Sequence, residues 1–475
     1  MTCSAYLTLA AAAVLSDTPS LAERAREGLL RAVTYWASEV ATHGGYLWEY
    51  GADLTSRRRG ESGDLGKHTV WVQPPGTPSV GRAFLRAYEA TGDRRALDAA
   101  LAAGRCLAWG QLTSGGWDYR IDFDPAENRN RYHHLDPRST PGYERLNAVS
   151  TFDDDVTQSA TRFLMELDRF ADDPEIDAAI ERALRCFLEA QYRGGAWDGA
   201  WPQRHPPRKD RYERLPTFND DAMSDCVRTL LLAHRRYGKP EHLQAVRRAL
   251  EFYLRSQLPE PQAAWAQQVD EDLKPAWARK FEPPAVCAAE SSGNVKLLLE
   301  MFLELGDERF LEAAGKAVAW FRRSRIGGNG VWARFYEVGT NRPVYFTRTY
   351  ELVYTDDDLP VHYSFRGNYG IDDRIREYEE IRRDGREAAL ARRRAEESLE
   401  ARRERAQALE GRVRRILAAQ DEKGRWVRVV PKKEEMRDAQ GRVGYEVDPS
   451  AQLSILYSED FVANVETLAA YLLGR

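Results

Sequence analysis

The chain has 475 residues, 43% hydrophobic and 30% charged, with a formal charge of −5. That length allows one large domain or several ordinary ones, and the composition supports a solvated globular protein. The charge balance carries no basic excess of the kind that marks nucleic-acid binding. Residues Tyr6 to Leu15 are apolar but too short to span a membrane, and no Lys or Arg precedes them as in a standard export leader. Residues 1–20 are read as a leader or an unstructured arm, and 21–475 as one domain. Five scattered cysteines (Cys3, Cys106, Cys186, Cys226, Cys287) lack metal-ligand spacing and read as buried thiols.

In chain order, Leu21 to Val40 has the periodicity of an amphipathic helix and stops at His43-Gly44-Gly45. Glu49 to Pro78 reads as a long polar loop. A unit then recurs: a helix opening at Ser79, Asp155, Asp221 and Ser292, a turn, a returning helix, and a glycine-aromatic close such as Gly115-Gly116-Trp117 or Gly330-Val331-Trp332. The spacing of about 70 residues, with two antiparallel helices per copy, predicts an all-α array of helical hairpins. Curled on an axis it is an α/α toroid with long loops gathered at one rim; left open it is a solenoid. A last copy is expected at Asp460 to Leu473. Asp372 to Ala419 is dense in Arg and Glu and reads as a solvated bracing helix, with a small strand pair in 425–447.

Two helix openings are unusually acidic: Asp153-Asp154-Asp155, and Asn219-Asp220-Asp221. One carboxylate suffices to cap a helix, whereas three in a row repel one another unless a cation gathers them. Hard oxygen donors of this kind suit Ca²⁺. Arginines recur beside aromatics at Trp277-Ala278-Arg279-Lys280-Phe281, Trp332-Ala333-Arg334-Phe335 and Thr347-Arg348. Each is either an Arg stacked on a ring or a fork for a carboxylate. Together with the tryptophans of Gly194-Gly195-Ala196-Trp197-Asp198-Gly199-Ala200-Trp201, they describe a site for an anionic sugar.

The segments Gly-Gly-Ala-Trp-Asp-Gly-Ala-Trp-Pro-Gln, Phe-Asn-Asp-Asp-Ala-Met, Trp-Ala-Arg-Lys-Phe-Glu-Pro-Pro and Arg-Phe-Tyr-Glu-Val-Gly-Thr-Asn-Arg-Pro resemble the pectic acid lyases of polysaccharide lyase family ten, over roughly 115–381. The resemblance implies a toroid of helical hairpins that cleaves polygalacturonate by calcium-assisted β-elimination, acting outside the cytoplasm as a secreted or periplasmic monomer. Carried onto this sequence, it implies Arg279 as the proton-abstracting residue and Asp153 with Asp220 or Asp221 as calcium ligands. It implies Arg334 and Arg348 as carboxylate-binding arginines; Asp154, Trp201, Asn219 and Lys280 complete the expected substrate contacts. The chain departs from the family at Asp154, where the family has Asn, and at Arg348-Thr349-Tyr350, where it has Arg-Asp-Gly. Alternatives on the same scaffold are a lyase for another uronate polymer, a glycoside hydrolase using Asp154 or Asp221, and a non-catalytic carbohydrate-binding toroid.

Overall fold

The computed structural model describes residues 19–61, 63–328, 330–437 and 443–475. Cys3 and most of the expected leader lie outside them. Thirteen helices are seen among the described residues: α1 (Leu21–Tyr35), α2 (Thr77–Thr91), α3 (Arg94–Trp109), α4 (Val156–Leu167), α5 (Pro174–Ala190), α6 (Ala222–Tyr237), α7 (Pro240–Ser256), α8 (Ala288–Leu305), α9 (Glu308–Arg323), α10 (Ile371–Asp384), α11 (Arg386–Glu396), α12 (Leu399–Ala419) and α13 (Ser458–Leu473).

The ends follow local chemistry. Ser20 and Glu23 form a capping box on α1. Gly92, Gly238 and Gly306 end α2, α6 and α8 in the left-handed conformation that suits glycine. Asp93, Asp173 and Asp307 cap the returning helices α3, α5 and α9. These turns make the four expected hairpins, α2/α3 to α8/α9. Helices α2, α4, α6 and α8 touch in succession, α11 bridges α8 to α12, and α13 packs on both α12 and α2. The ring is therefore closed, an α/α toroid with minor strands, and the open solenoid is excluded.

The charged stretch expected as one bracing helix is instead three helices. Its last member, α12, buries Ala406, Val413 and Ile416 and helps close the ring. The polar loop after α1 also differs from expectation. Its residues 49–51, 58–60 and 63–64 extend an antiparallel sheet begun by the hairpin Arg428–Arg437 and Val443–Tyr457. Pairing with a strand some 400 residues away supplies hydrogen bonds that no local pattern could announce. Four cysteines are free and buried, as expected.

The glycine-aromatic closes have a common structural job. Trp117, Trp201, Trp265, Trp332 and Trp426 each donate an indole N–H to a carbonyl near the end of the preceding helix, those of Leu107, Phe187, Tyr253, Phe321 and Ile416, at 2.8–2.9 Å. These carbonyls belong to the last turns, which lack partners within their own helix. A glutamine adds a second stitch. Gln111, Gln191, Gln257 and Gln420 each donate to their own turn and to a carbonyl of the neighbouring outer helix, at Ala179, Ala245, Ala313 and Gly28. Gln191 is buried, so Gln191→Leu takes a donor from the Gly199 carbonyl and the acceptor from the Arg248 guanidinium. A loss of about 1–3 kcal/mol is expected, read as a lower urea midpoint at unchanged slope.

Candidate active site

Both acidic openings adopt one backbone form. Phe152 and Phe218 are helical, and the second and third residues after each are left-handed: Asp154 and Asp155 at φ 51° and 58°, Asp220 and Asp221 at φ 47° and 57°. Non-glycine residues in this region cost on the order of 1 kcal/mol each, least for Asp and Asn. Two copies of the same strained turn, touching each other at the rim, bring carboxylates from separate hairpins together.

Asp153, Asp154 and Asp220 each offer a carboxylate oxygen, all within 4.8 Å of one another. Burial first, then Asp154 and Asp220, pushes Asp153 up to about 7. Burial and then Asp154 raise Asp220 as well, although its residue reaches solvent. Tyr119 donates to Asp154 at 2.7 Å, and the Asn219 amide donates to Asp220 and, at 3.5 Å, to Asp153. The third acid of each turn looks back at its own helix. Asp155 takes the Arg162 guanidinium at 2.6 Å, and Asp221 accepts the Ser224 hydroxyl at 2.9 Å. The cluster thus contains Asp154, expected as a substrate contact, and lacks Asp221, expected as a ligand.

The cluster fits the calcium ion that the resemblance implies. All donors are hard oxygens, and oxygens on opposite sides of a Ca²⁺ ion stand about 4.8 Å apart at usual bond lengths. Asn219 is 2% exposed and its side-chain carbonyl has no hydrogen-bond partner among the described residues. The Asn219 amide nitrogen is the atom that faces Asp153 and Asp220, so the ligand set is the three carboxylates.

The arginines divide. Arg279 grips Glu282 with Nε at 2.8 Å and Nη2 at 2.5 Å, and its backbone N–H donates to the same carboxylate at 3.0 Å. The side-chain hydrogen bond to Glu282, above all, raises Arg279 further from neutrality. Arg334 is largely buried and donates to Glu290 at 2.8 Å, while its Nε has no partner among the described residues. Burial opposes the Arg334 charge, but Glu290 together with Cys287, Tyr363 and Tyr369 outweighs it and the net direction is upward. Burial pushes Glu290 up to about 8 even beside Arg334. Both guanidiniums lie against the Tyr363 ring, at 5.6 and 4.5 Å, and Tyr363 donates to Glu282 at 3.1 Å.

The remaining expected contacts stand elsewhere. Arg348 is exposed on a later loop and pairs with Asp358 at 2.9 Å. Lys280 sits over Tyr350, 3.9 Å from the ring centre. Trp201 is corrected: it is wholly buried with its N–H on Phe187, and a core indole has no free face for a sugar. The indole that is open is Trp277, 49% exposed, next but one to Arg279.

Other residues near the cluster gave weaker signals in the sequence. Glu282 lies within the Trp-Ala-Arg-Lys-Phe-Glu-Pro-Pro segment, and Tyr119 follows a glycine-aromatic close. Arg204, Arg208 and Arg211 line a pocket of about 230 Å³, with Arg204 held 3.0 Å from Thr151 in the strand before the first acidic turn. Glu61 comes from the N-terminal sheet. Burial, then the charge of Asp154, raises it.

Residues 111–329 match the pectic acid lyase family. No curated protein matches the chain. Among solved structures, a family 10 polysaccharide lyase from Cellvibrio cellulosa is 21% identical, over 64% of this chain and 97% of its own, with a TM-score of 0.48. An aspartate-to-alanine mutant of family 10 polysaccharide lyase from Cellvibrio cellulosa, in complex with trigalacturonic acid, has the same identity and score over 63% and 98%. A glycoside hydrolase family 76 mannosidase from Bacteroides thetaiotaomicron is 10% identical over 95% and 98%, with a TM-score of 0.45.

Proposed function

We infer that this relative of the pectic acid lyases, a polysaccharide lyase, cleaves polygalacturonate by calcium-assisted β-elimination. The observation that carries the reading is the trio of carboxylates with oxygens within 4.8 Å of one another. Asp153, Asp154 and Asp220 would hold the ion. When bound, it supplies positive charge that makes the proton next to a uronate carboxylate easier to remove.

The chain's own residues supply the rest. Arg334, fixed by Glu290 and set against Tyr363, supplies positive charge for a substrate carboxylate. Trp277 offers a ring face to a sugar. In the elimination the C5 proton goes to the base, its electron pair forms the C4–C5 double bond, and the C4–O bond breaks to the leaving sugar. Arg279 is the proposed base, but its bonds to Glu282 hold it charged in the free protein. Its neutral form is reached only when Glu282 lets go and the pH is high, so the rate is expected to climb into the alkaline range. A hydrolase using Asp154 or Asp221 is less well supported, because Asp221 accepts from Ser224 and stands outside the carboxylate cluster.

Among the described residues no helix is long and apolar enough to cross a membrane. A polymer substrate is too large to enter a cell, which supports an exported enzyme. The test is ultraviolet absorbance of the unsaturated uronide on mixing with polygalacturonate at alkaline pH. A calcium-dependent rise abolished by chelator is expected. New reducing ends without absorbance would establish hydrolysis, and binding without either product a carbohydrate-binding toroid.

A further inference from the structure

We propose that Asp225 is a positioning residue: from the middle of a path of hydrogen bonds and ion pairs between α4 and α6, it holds the two acidic turns at the spacing a cation needs. This rests on the calcium reading above and concerns residues outside the trio that would hold the ion.

The path can be followed group by group. In the first turn the Asp155 carboxylate accepts Arg162 Nη2 on both oxygens, at 2.6 Å. Arg162 belongs to α4 and reaches across to α6. There its Nη1 donates to the Thr229 hydroxyl at 3.0 Å and stands 3.8 Å from Asp225 Oδ1. The same Asp225 oxygen accepts from Arg228 Nη1 at 3.2 Å. Arg228 Nη1 also donates to the Ser224 hydroxyl at 3.0 Å. Ser224 in turn donates at 2.9 Å to Asp221, the third acid of the second turn. Asp155 and Asp221 are thus the two ends of one path, with Asp225 between its two arginines.

The path is built into the interior. Ser224 and Thr229 are buried, and the Arg162 and Asp225 side chains are only 18% and 16% exposed. Charges alternate along it, and the low dielectric strengthens each attraction. At the far end, a side-chain carbon on Gly293 of α8 would come within 2.8 Å of Asp221 Oδ1. Glycine inside a helix costs stability, and here it leaves the Asp221 carboxylate its space. The turns need such a brace. Each holds two successive aspartates in the left-handed region, and Asp153, Asp154 and Asp220 repel one another until a cation joins them. Asp155 and Asp221 directly follow Asp154 and Asp220 in the chain. Fixing the followers therefore fixes the backbone from which the cluster projects, without occupying the cluster itself.

The test is terbium titration of the whole protein, read as luminescence sensitised through Tyr119, which donates to Asp154 at 2.7 Å. Asp225→Asn should bind terbium about 10–100-fold more weakly than the wild type, the usual loss when the support behind a metal site is removed. Ser224→Ala cuts the same path with every charge kept and should weaken binding in the same direction; it decides alone if Asp225→Asn does not fold. Glu166→Gln is the control. Glu166 also lies on α4, pairs with Arg82 at 3.2 Å and is 19% exposed, but it stands outside the path. Its substitution removes the same charge and should leave terbium affinity unchanged, whatever it does to the denaturant midpoint. Wild-type affinity in both Asp225→Asn and Ser224→Ala would overturn the proposal and leave the lyase reading intact. A loss in Glu166→Gln as large as in Asp225→Asn would also overturn it, by making the effect one of general stability or charge. A wild type that binds no terbium would sink the calcium reading, and this inference with it.

Discussion

Arg334→Ala is expected to lower kcat/KM on uronide substrate by about 10²–10³, comparable to losing one donor that stabilises developing charge. It should also destabilise the fold. Arg334 is the ion-pair partner of Glu290, and both side chains are nearly buried, at 12% and 8% exposure. Breaking such a pair from one side costs about 3–5 kcal/mol, because the remaining charge loses its compensation in a low-dielectric site. Glu290, already raised to about 8 by burial, has a way out by taking a proton. The stability deficit of the single variant should therefore shrink as pH falls. Glu290→Gln together with Arg334→Met removes both charges at similar volume and should regain most of the stability with none of the activity. Denaturant midpoints for the two singles and the double, beside kcat and KM, decide the matter. A double variant as unstable as Arg334→Ala would mean that packing against Tyr363, not charge, is what the arginine supplies.

Asp153→Asn should reverse its effect on stability with calcium. In the ion-free protein Asp153 sits near 7, lifted by burial and by Asp154 and Asp220. A carboxyl whose folded value lies above its unfolded one makes the folded state bind the extra proton between about 4 and 7. Stability therefore falls as pH rises through that window, and the full penalty is present above it. Asp153→Asn removes the penalty, so at neutral pH with chelator its melting temperature should exceed that of the wild type. In saturating calcium the order should invert, because an ion that binds only the folded state stabilises it by mass action and the variant binds the ion weakly. Calcium affinity of the wild type should also drop as pH falls below about 7, where proton and ion compete for Asp153. Calorimetric scans with and without calcium measure all three. The same order in both conditions would remove Asp153 from the ion site.

How much of this was legible in the sequence depended on how local the cause was. The hairpins were, because helical periodicity and Gly-Asp turns act within a few residues; Gly92, Gly238 and Gly306 stop helices where the pattern stops. The acidic openings were also visible, as three and two adjacent charges where a helix cap needs one. Trp201 shows where such reading misleads. A tryptophan in a glycine-rich turn suits a sugar face and a helix-end donor equally, and only its burial on Phe187 separates them. The division between Asp154 and Asp221 had the same origin. Successive residues in a left-handed turn point to different sides, and composition does not say which side faces the other turn.

Sequence alone determined the repeated hairpin, its helix ends, the two acidic turns and the Arg-aromatic segments, all products of contacts between near neighbours. Tertiary structure decided that α12 and α13 close the ring, that Asp153, Asp154 and Asp220 meet, that Glu282 and Glu290 claim the two arginines, and that a strand pair begun near residue 428 organises the wall carrying Glu61. The physical reason is that these outcomes join groups far apart in the chain. Their strength comes from burial and charge in the assembled interior, which no stretch of sequence contains by itself.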